Sequence, residues 1–558
     1  MSTDGLGGGS GRRPRGAGMR SMRRLFELHS ESESTGVPVD ELAGRMREAR
    51  AERSGLQTRR EFLAAGAGAA AAAALAARPS TSVAHALRSP PEQPRIAIVG
   101  GGLAGLRCAH LLYTGSPSGP VVSTVYEANS ERIGGRCWTL RDYFTNGLIA
   151  EHGGYFINSD QVSVRSLAKQ LGLDEEDING GNLFEGDEVF FDSSGVYTLP
   201  EANAYWEDAA YRIFKDAIRE EKHPEGRLRL DSMSVPEWLD STEIGSNSRF
   251  GKLMMSNVVA EWGGDPSDQS ALNLISLLAK NPRSSVEPLG GDDERWHIVG
   301  GNDQLVTGMI EQLPPGTVQQ SHVLVAVKAN SEGTVTLTFD VGGALTDVVA
   351  DFAVFALPFS TLRNVDLSQS GLSEAKVKVI DTMGMGTDAK VQLELTRKTW
   401  PALGYAGATY GEWDGLACGW DGSVQLGPDA SPALFACFPG ASFGLYGLTG
   451  AAHGPTPHAD VKWALGELDR VYPGTKDVYA GRSYEDHWAL DPWVKGAYSY
   501  YRVGQYTTYG KIAQAPQRPY LFAGEHTSIE NIGFLDGALE TGEEAAKQLL
   551  KYLKKHHH

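Results

Sequence analysis

The passage that most constrains this chain is Arg95-Ile-Ala-Ile-Val99, which runs directly into Gly100-Gly101-Gly102-Leu103-Ala104-Gly105. A β-branched run predicts a strand, and Leu103, Leu106, Ala109, Leu111 and Leu112 then recur at helical spacing. Strand, G-x-G-x-x-G and helix in that order form a dinucleotide-binding turn. Gly100 permits the tight turn, Gly102 lets the backbone approach a pyrophosphate, and Gly105 lets helix and strand pack closely. The helix N-terminus, with Ala104 in its first turn, then faces the phosphate charge. A second strand, from Val121 to Tyr126, ends at Glu127-Ala128, about twenty residues beyond the last glycine, where an acid binds ribose hydroxyls. NAD and FAD share this fingerprint, so at this point the dinucleotide is open.

The next stretch narrows it. Ala128-Asn-Ser-Glu-Arg132-Ile-Gly134-Gly135-Arg136 is followed by Glu151-His-Gly153-Gly154-Tyr155-Phe156. A Gly-Gly-Arg turn brings backbone N–H groups and a guanidinium to the far side of a pyrophosphate, where Arg gives bidentate geometry. With these residues the sequence resembles the flavin-dependent amine oxidase family, which includes monoamine oxidases, polyamine oxidases and L-amino-acid oxidases. The resemblance implies FAD, with Gly153, Gly154 and Tyr155 in the segment beneath the isoalloxazine ring.

Family-like segments recur in order to about Leu550. Trp296 to Leu305 resembles the return into the FAD domain, and Val323, in the strand after His322, resembles the residue whose backbone meets the adenine. Tyr520-Leu-Phe-Ala-Gly524-Glu525-His526-Thr527-Ser528 and Gly533-Phe534 opening a last helix resemble the turn that holds the ribityl chain and pyrophosphate. The implied fold is α/β and α+β: a Rossmann-like FAD-binding domain interleaved with a mixed-sheet and helical substrate-binding domain. The expected FAD-binding pieces are 91–163, 294–362 and 480–552, and the substrate-binding pieces are 164–293 and 363–479.

Oxidising an amine with a flavin asks little acid–base chemistry of the protein. The resemblance implies oxidative deamination by hydride transfer from the α-carbon to flavin N5, with O2 reduced to H2O2 and the imine hydrolysing to a carbonyl product. Lys390, where an apolar-alternating strand begins, matches the family lysine that holds a water against N5; a desolvated Lys there has a lowered pKa. Trp488 to Tyr498 resembles the segment carrying one wall of an aromatic cage, with Trp488 at the cofactor, Tyr498 on the wall and Phe534 opposite. Some family members attach the flavin through a cysteine just before that tyrosine. Here the position is Ala497, so dissociable, non-covalent FAD is expected.

The substrate is left open between an L-amino acid and a primary amine or polyamine. Tyr155-Phe-Ile-Asn158 contains no Arg to pair with a carboxylate, unless a distant residue such as Arg502 supplies it. Trp262, Trp296 and Trp413 are further candidates for shaping the pocket. Two other classes compete: a flavin dehydrogenase or desaturase with a non-oxygen acceptor, and a non-catalytic FAD-binding protein.

Charge and the N-terminus bound the rest. The net charge is −18, and residues 1–86 contribute +4, so the remainder carries −22. Such a surface repels nucleic acid and offers no basic footprint. Cys108, Cys137, Cys418 and Cys437 form no Cys-x-x-Cys pair, which excludes a zinc ribbon or dithiol redox motif. Buried free thiols are the expectation, with a Cys418–Cys437 bridge the alternative. Thr58-Arg59-Arg60-Glu61-Phe62-Leu63, an Ala/Gly-rich run from Ala64 to Ala77 and Ala84-His85-Ala86 have the layout of a twin-arginine signal with its cleavage site. The run is too short and weakly apolar to span a membrane. A secreted or cell-envelope protein that passes the twin-arginine machinery is therefore expected, with residues 1–57 a disordered extension. A homo-oligomer is compatible with all of this.

Overall fold

A computed structural model describes residues 94–178, 186–277 and 293–556. The expected N-terminal extension and the expected twin-arginine signal lie outside the described residues. No described helix is long and apolar enough to cross a membrane.

Ile96–Val99 is the middle strand of a five-stranded parallel sheet in the order Tyr520–Phe522, Phe352–Phe355, Ile96–Val99, Thr124–Tyr126, Val318–Gln319. All four residues of Ile96–Val99 are buried, as a parallel strand covered on both faces requires. Ile96 and Ile98 pack under the helices Leu103–Thr114 and Leu535–His556. Ala97 and Val99 face the other way, toward a four-stranded sheet built from Val323–Ala329, Val335–Val341, Ala344–Ala350 and Asp366–Gln369. Three stretches of chain far apart in sequence thus meet in one parallel sheet.

The second large sheet has eight strands, His453–Pro455, Tyr479–His487, Ala389–Leu395, Ala433–Phe438, Cys418–Asp421, Tyr405–Tyr410, Asp187–Asp192 and Gly195–Thr198. Tyr479–His487, which straddles the expected boundary at 480, pairs antiparallel with Ala389–Leu395 in this sheet. Helices between Leu199 and Leu277 pack around Trp206, Phe214, Trp238 and Phe250. Two of them start from capping boxes, Thr198 with Glu201 and Ser234 with Glu237. The helix Arg249–Trp262 stops at Gly263 in the left-handed conformation (φ +66).

Ala389–Leu395, the apolar-alternating strand expected at Lys390, is buried at every residue. The alternation itself is kept. Ala389, Val391, Leu393 and Leu395 pack into one core, while Lys390, Gln392 and Glu394 meet the backbone of residues 145–153. A polar face can be buried when carbonyl and N–H groups pair with it. The four cysteines are buried and free. Cys418 and Cys437 sit on neighbouring strands but stand opposite Phe438 and Gly419 respectively.

Candidate active site

A cavity of about 880 Å³ opens where the parallel strands end. Val99-Gly100, Tyr126-Glu127, Ala356-Leu357 and Gly524-Glu525 line it, each just beyond the C-terminal end of its strand or at it. Open α/β sheets bind ligands at that edge. Across from them the eight-stranded sheet contributes Lys390, Tyr410, Trp420 and Phe438.

The glycine-rich turn is shaped by contacts a side chain would break. Gly100 has φ +110, and a Cβ there would stand 2.6 Å from the Ala356 carbonyl oxygen. A Cβ on Gly105 would lie 2.0 Å from the Gly100 carbonyl oxygen, so this residue serves helix–strand packing and does not itself line the cavity. A Cβ on Gly102 would meet nothing within 4 Å and would project into open cavity. This is an open backbone cradle, free of side chains, that a side chain at Gly102 would obstruct. The Glu127 carboxylate accepts from the Gly101 N–H at 2.7 Å and the Asn129 N–H at 2.8 Å, beside Ala128. Burial raises its pKa and those N–H groups oppose the rise.

The second turn faces the first. Gly134 donates to the Gly101 carbonyl, and Gly135 stands against Gly102. The Arg136 guanidinium lines the cavity but donates to the Ala497 carbonyl at 2.5 Å and to Glu525 at 2.9 Å. Glu525 also accepts from Ser499 Oγ and the Gly533 N–H, tying three cavity segments together. Burial acts against that charge, yet Arg136 holds the carboxyl below its ordinary pKa. Ala104, Val323, Gly524 and Gly533 complete the expected cofactor wall.

Lys390 sits at the other side of Gly153. Its Nζ donates to the Glu151 carbonyl at 2.9 Å and the Gly153 carbonyl at 2.8 Å, and lies 5.7 Å from the Trp420 ring centre. Burial pulls its pKa down to about 8. Trp488 closes the floor by donating from its indole N–H to the His152 carbonyl at 2.8 Å. The Gly153-Gly154 backbone is pressed between the Arg136 carbonyl and Leu535. Tyr155 is stacked on His297. Tyr498 and Phe534 both line the cavity, and the Tyr498 hydroxyl donates to the Ala260 carbonyl at 2.5 Å.

Behind this floor runs a hydrogen-bonded chain of ionisable groups. Asp486 accepts from His152 at 2.6 Å and His453 at 2.8 Å, and Asp491 meets His453 at 3.1 Å and Arg132 at 3.3 Å. The three nearest of these, His152, His453 and Asp486, are close enough to share a cation. Both imidazoles share Asp486 Oδ1 while the buried Oδ2 has no partner, and through His152 the cluster braces the Glu151–Gly154 segment.

Some lining residues carry no sequence motif: Asp388, Tyr410, Trp420, Phe438, Glu261 and Glu188. They come from strand ends and one helix end, and only sheet register shows which way they face. Trp262, Trp296 and Trp413 do not line the cavity; Trp262 packs into the helical core and Trp296 lies between the Arg165 and Arg295 guanidiniums. Arg502 is also elsewhere, at the surface beside Asp268.

Residues 103–550 match the family model described as flavin containing amine oxidoreductase. The chain is 25% identical to a pseudooxynicotine dehydrogenase from Pseudomonas sp., covering 82% of this chain and 86% of that one. It is also 25% identical to an L-amino acid dehydrogenase from Synechocystis sp., covering 84% and 97%. Among solved structures, cyclohexylamine oxidase from Brevibacterium oxydans shares the fold with a TM-score of 0.68 at 21% identity, over 83% of this chain and 100% of that one.

Proposed function

Because the chain belongs to the flavin-containing amine oxidoreductase family, we propose that it holds FAD without a covalent link and oxidatively deaminates a primary amine or polyamine. The balanced reaction is R–CH2–NH2 + O2 + H2O giving R–CHO + NH3 + H2O2. The observation that carries the reading is continuity: one cavity joins the open face of Gly102 to Lys390, Tyr498 and Phe534.

Gly100, Gly102, Glu127, Gly135, Gly153, Val323 and Gly533 would hold the cofactor along that cavity. Bound there, the flavin supplies a two-electron acceptor for the hydride equivalent of the amine α-carbon. Ala497 offers no thiol for attachment. Cys137 and Cys418 also line the cavity, but burial pushes both thiols up and away from the reactive thiolate.

The side chains do the rest. Tyr498 and Phe534 give the amine apolar walls and exclude water from its α-carbon. Lys390, with a pKa near 8, gains and loses a proton at Nζ under ordinary conditions, which suits transfer to reduced oxygen or a hydrolysing imine.

The charge pattern favours an amine over an amino acid. After burial itself, Glu188 and Glu294 raise the Tyr410 pKa, and Glu261 contributes to raising that of Tyr498. A substrate carboxylate would meet those acids, and Arg502 is not there to receive it. A cationic amine is attracted by the same acids. A second reading, transfer of electrons to an acceptor other than oxygen, is favoured by the names of the Pseudomonas and Synechocystis relatives, both dehydrogenases.

Action outside the cytoplasm, after twin-arginine export and cleavage near Ala86, is part of the same proposal. The test is a peroxide-coupled screen of FAD-loaded protein under air against monoamines, polyamines and L-amino acids. Peroxide from amines supports the oxidase. Reduction of an added quinone without peroxide turns the reading to the dehydrogenase.

A further inference from the structure

Two residues before Lys390, Asp388 is only 1% exposed, and neither carboxyl oxygen has a hydrogen-bond partner. Its slot is built by glycines. A Cβ on Gly263 would stand 1.8 Å from one carboxyl oxygen, and a Cβ on Gly440 2.2 Å from the other. Gly386 closes the slot, where a Cβ would come within 3.1 Å. The polar neighbours in that slot are the Tyr498 hydroxyl and the residue's own backbone N–H.

A phenol has one proton. Tyr498 gives its proton to the Ala260 carbonyl. Toward Asp388 the phenol oxygen therefore offers lone pairs alone. A carboxylate there would set acceptor against acceptor, whereas a carboxylic acid supplies the missing O–H to the phenol and leaves its carbonyl oxygen to the residue's own backbone N–H. Burial, which pushes the Asp388 pKa well above the carboxylate range, agrees with the neutral form.

We infer that Asp388 is a positioning residue: as a neutral acid it donates its hydroxyl hydrogen to the Tyr498 phenol oxygen. Together with the Ala260 carbonyl it fixes the ring that walls the amine slot. The inference rests on Tyr498 being that wall, but the hydrogen bond itself is testable without any substrate.

The experiment is a double-mutant cycle on the full chain: Asp388→Leu, Tyr498→Phe, their combination, and Asp388→Asn alongside. Two quantities are read: the rate of anaerobic flavin reduction by the fastest amine of the screen (cyclohexylamine and putrescine included), and the melting temperature of FAD-free protein. Asp388→Leu is expected to slow reduction roughly tenfold with the bound-flavin spectrum unchanged. Asp388→Asn, whose amide N–H still donates, should stay within about threefold of wild type. In the Tyr498→Phe background, Asp388→Leu should add no further loss of rate, and the two melting-temperature effects should likewise fail to add. Additive effects on melting temperature, or equal losses from Leu and Asn, overturn the inference. Should Asp388→Leu not fold, Asp388→Ala takes its place in the cycle. If wild type reacts with no amine while the melting temperatures still couple, the proposed function fails and the hydrogen bond stands.

Discussion

Lys390 is charged at a cost, since burial disfavours its ammonium while two backbone carbonyls hold it. Lys390→Met should cut turnover at least about tenfold and leave the spectrum of bound FAD unchanged; loss of FAD instead would mean the residue is structural. His297 carries the opposite sign. Burial pulls it down, but hydrogen bonds to Glu151 and Glu176 outweigh that and raise its pKa from 6.5 to about 9. A raised folded-state pKa gives stability that is full below pH 6.5 and lost as pH climbs through about 9. Denaturant unfolding of wild type against His297→Gln should therefore show a stability gap that narrows across that window. A gap independent of pH would contradict the ion pairing. Lys390, Tyr498 and Phe534 were legible because each sits in a contiguous motif. Asp388, Trp420 and Phe438 were not, because their facing depends on which strands pair, and that pairing joins residues far apart in sequence.

At the scale of elements, the strand–turn–helix at Ile96–Thr114 was legible almost to the residue, since glycine spacing fixes its geometry while leaving open which dinucleotide it takes. Its two key glycines make separable predictions. Gly105→Ala puts a methyl against the Gly100 carbonyl and should destabilise the fold by about 3 kcal/mol or more. Gly102→Val places its side chain in open cavity, so the FAD-free melting temperature should hold while FAD affinity falls at least about tenfold. Equal losses of stability from both would mean Gly102 is not at a binding face. Ala389–Leu395 was half legible. Its alternation was visible, but burial of the polar face was not, because the partners are backbone groups of residues 145–153.

For the whole molecule, net charge says little about fold but bears on substrate entry. With Arg502 paired at the surface and acids about Tyr410 and Tyr498, Arg502→Ala should leave kcat/KM for amines unchanged. A large loss for an L-amino acid substrate would restore the carboxylate reading. Replacing Arg59 and Arg60 by Lys should retain the chain, folded and flavin-loaded, in the cytoplasm. Export unaffected by that change would remove the twin-arginine assignment. The most direct test of the proposed chemistry needs neither oxygen nor a product assay. FAD-loaded enzyme is mixed under nitrogen with monoamines, polyamines and L-amino acids while visible flavin absorbance is followed. A cavity that joins the cofactor cradle to an acid-flanked aromatic slot predicts bleaching by an amine, faster than by any L-amino acid, and recovery of the yellow flavin with H2O2 on admitting air. Flavin that stays yellow with every amine would contradict it.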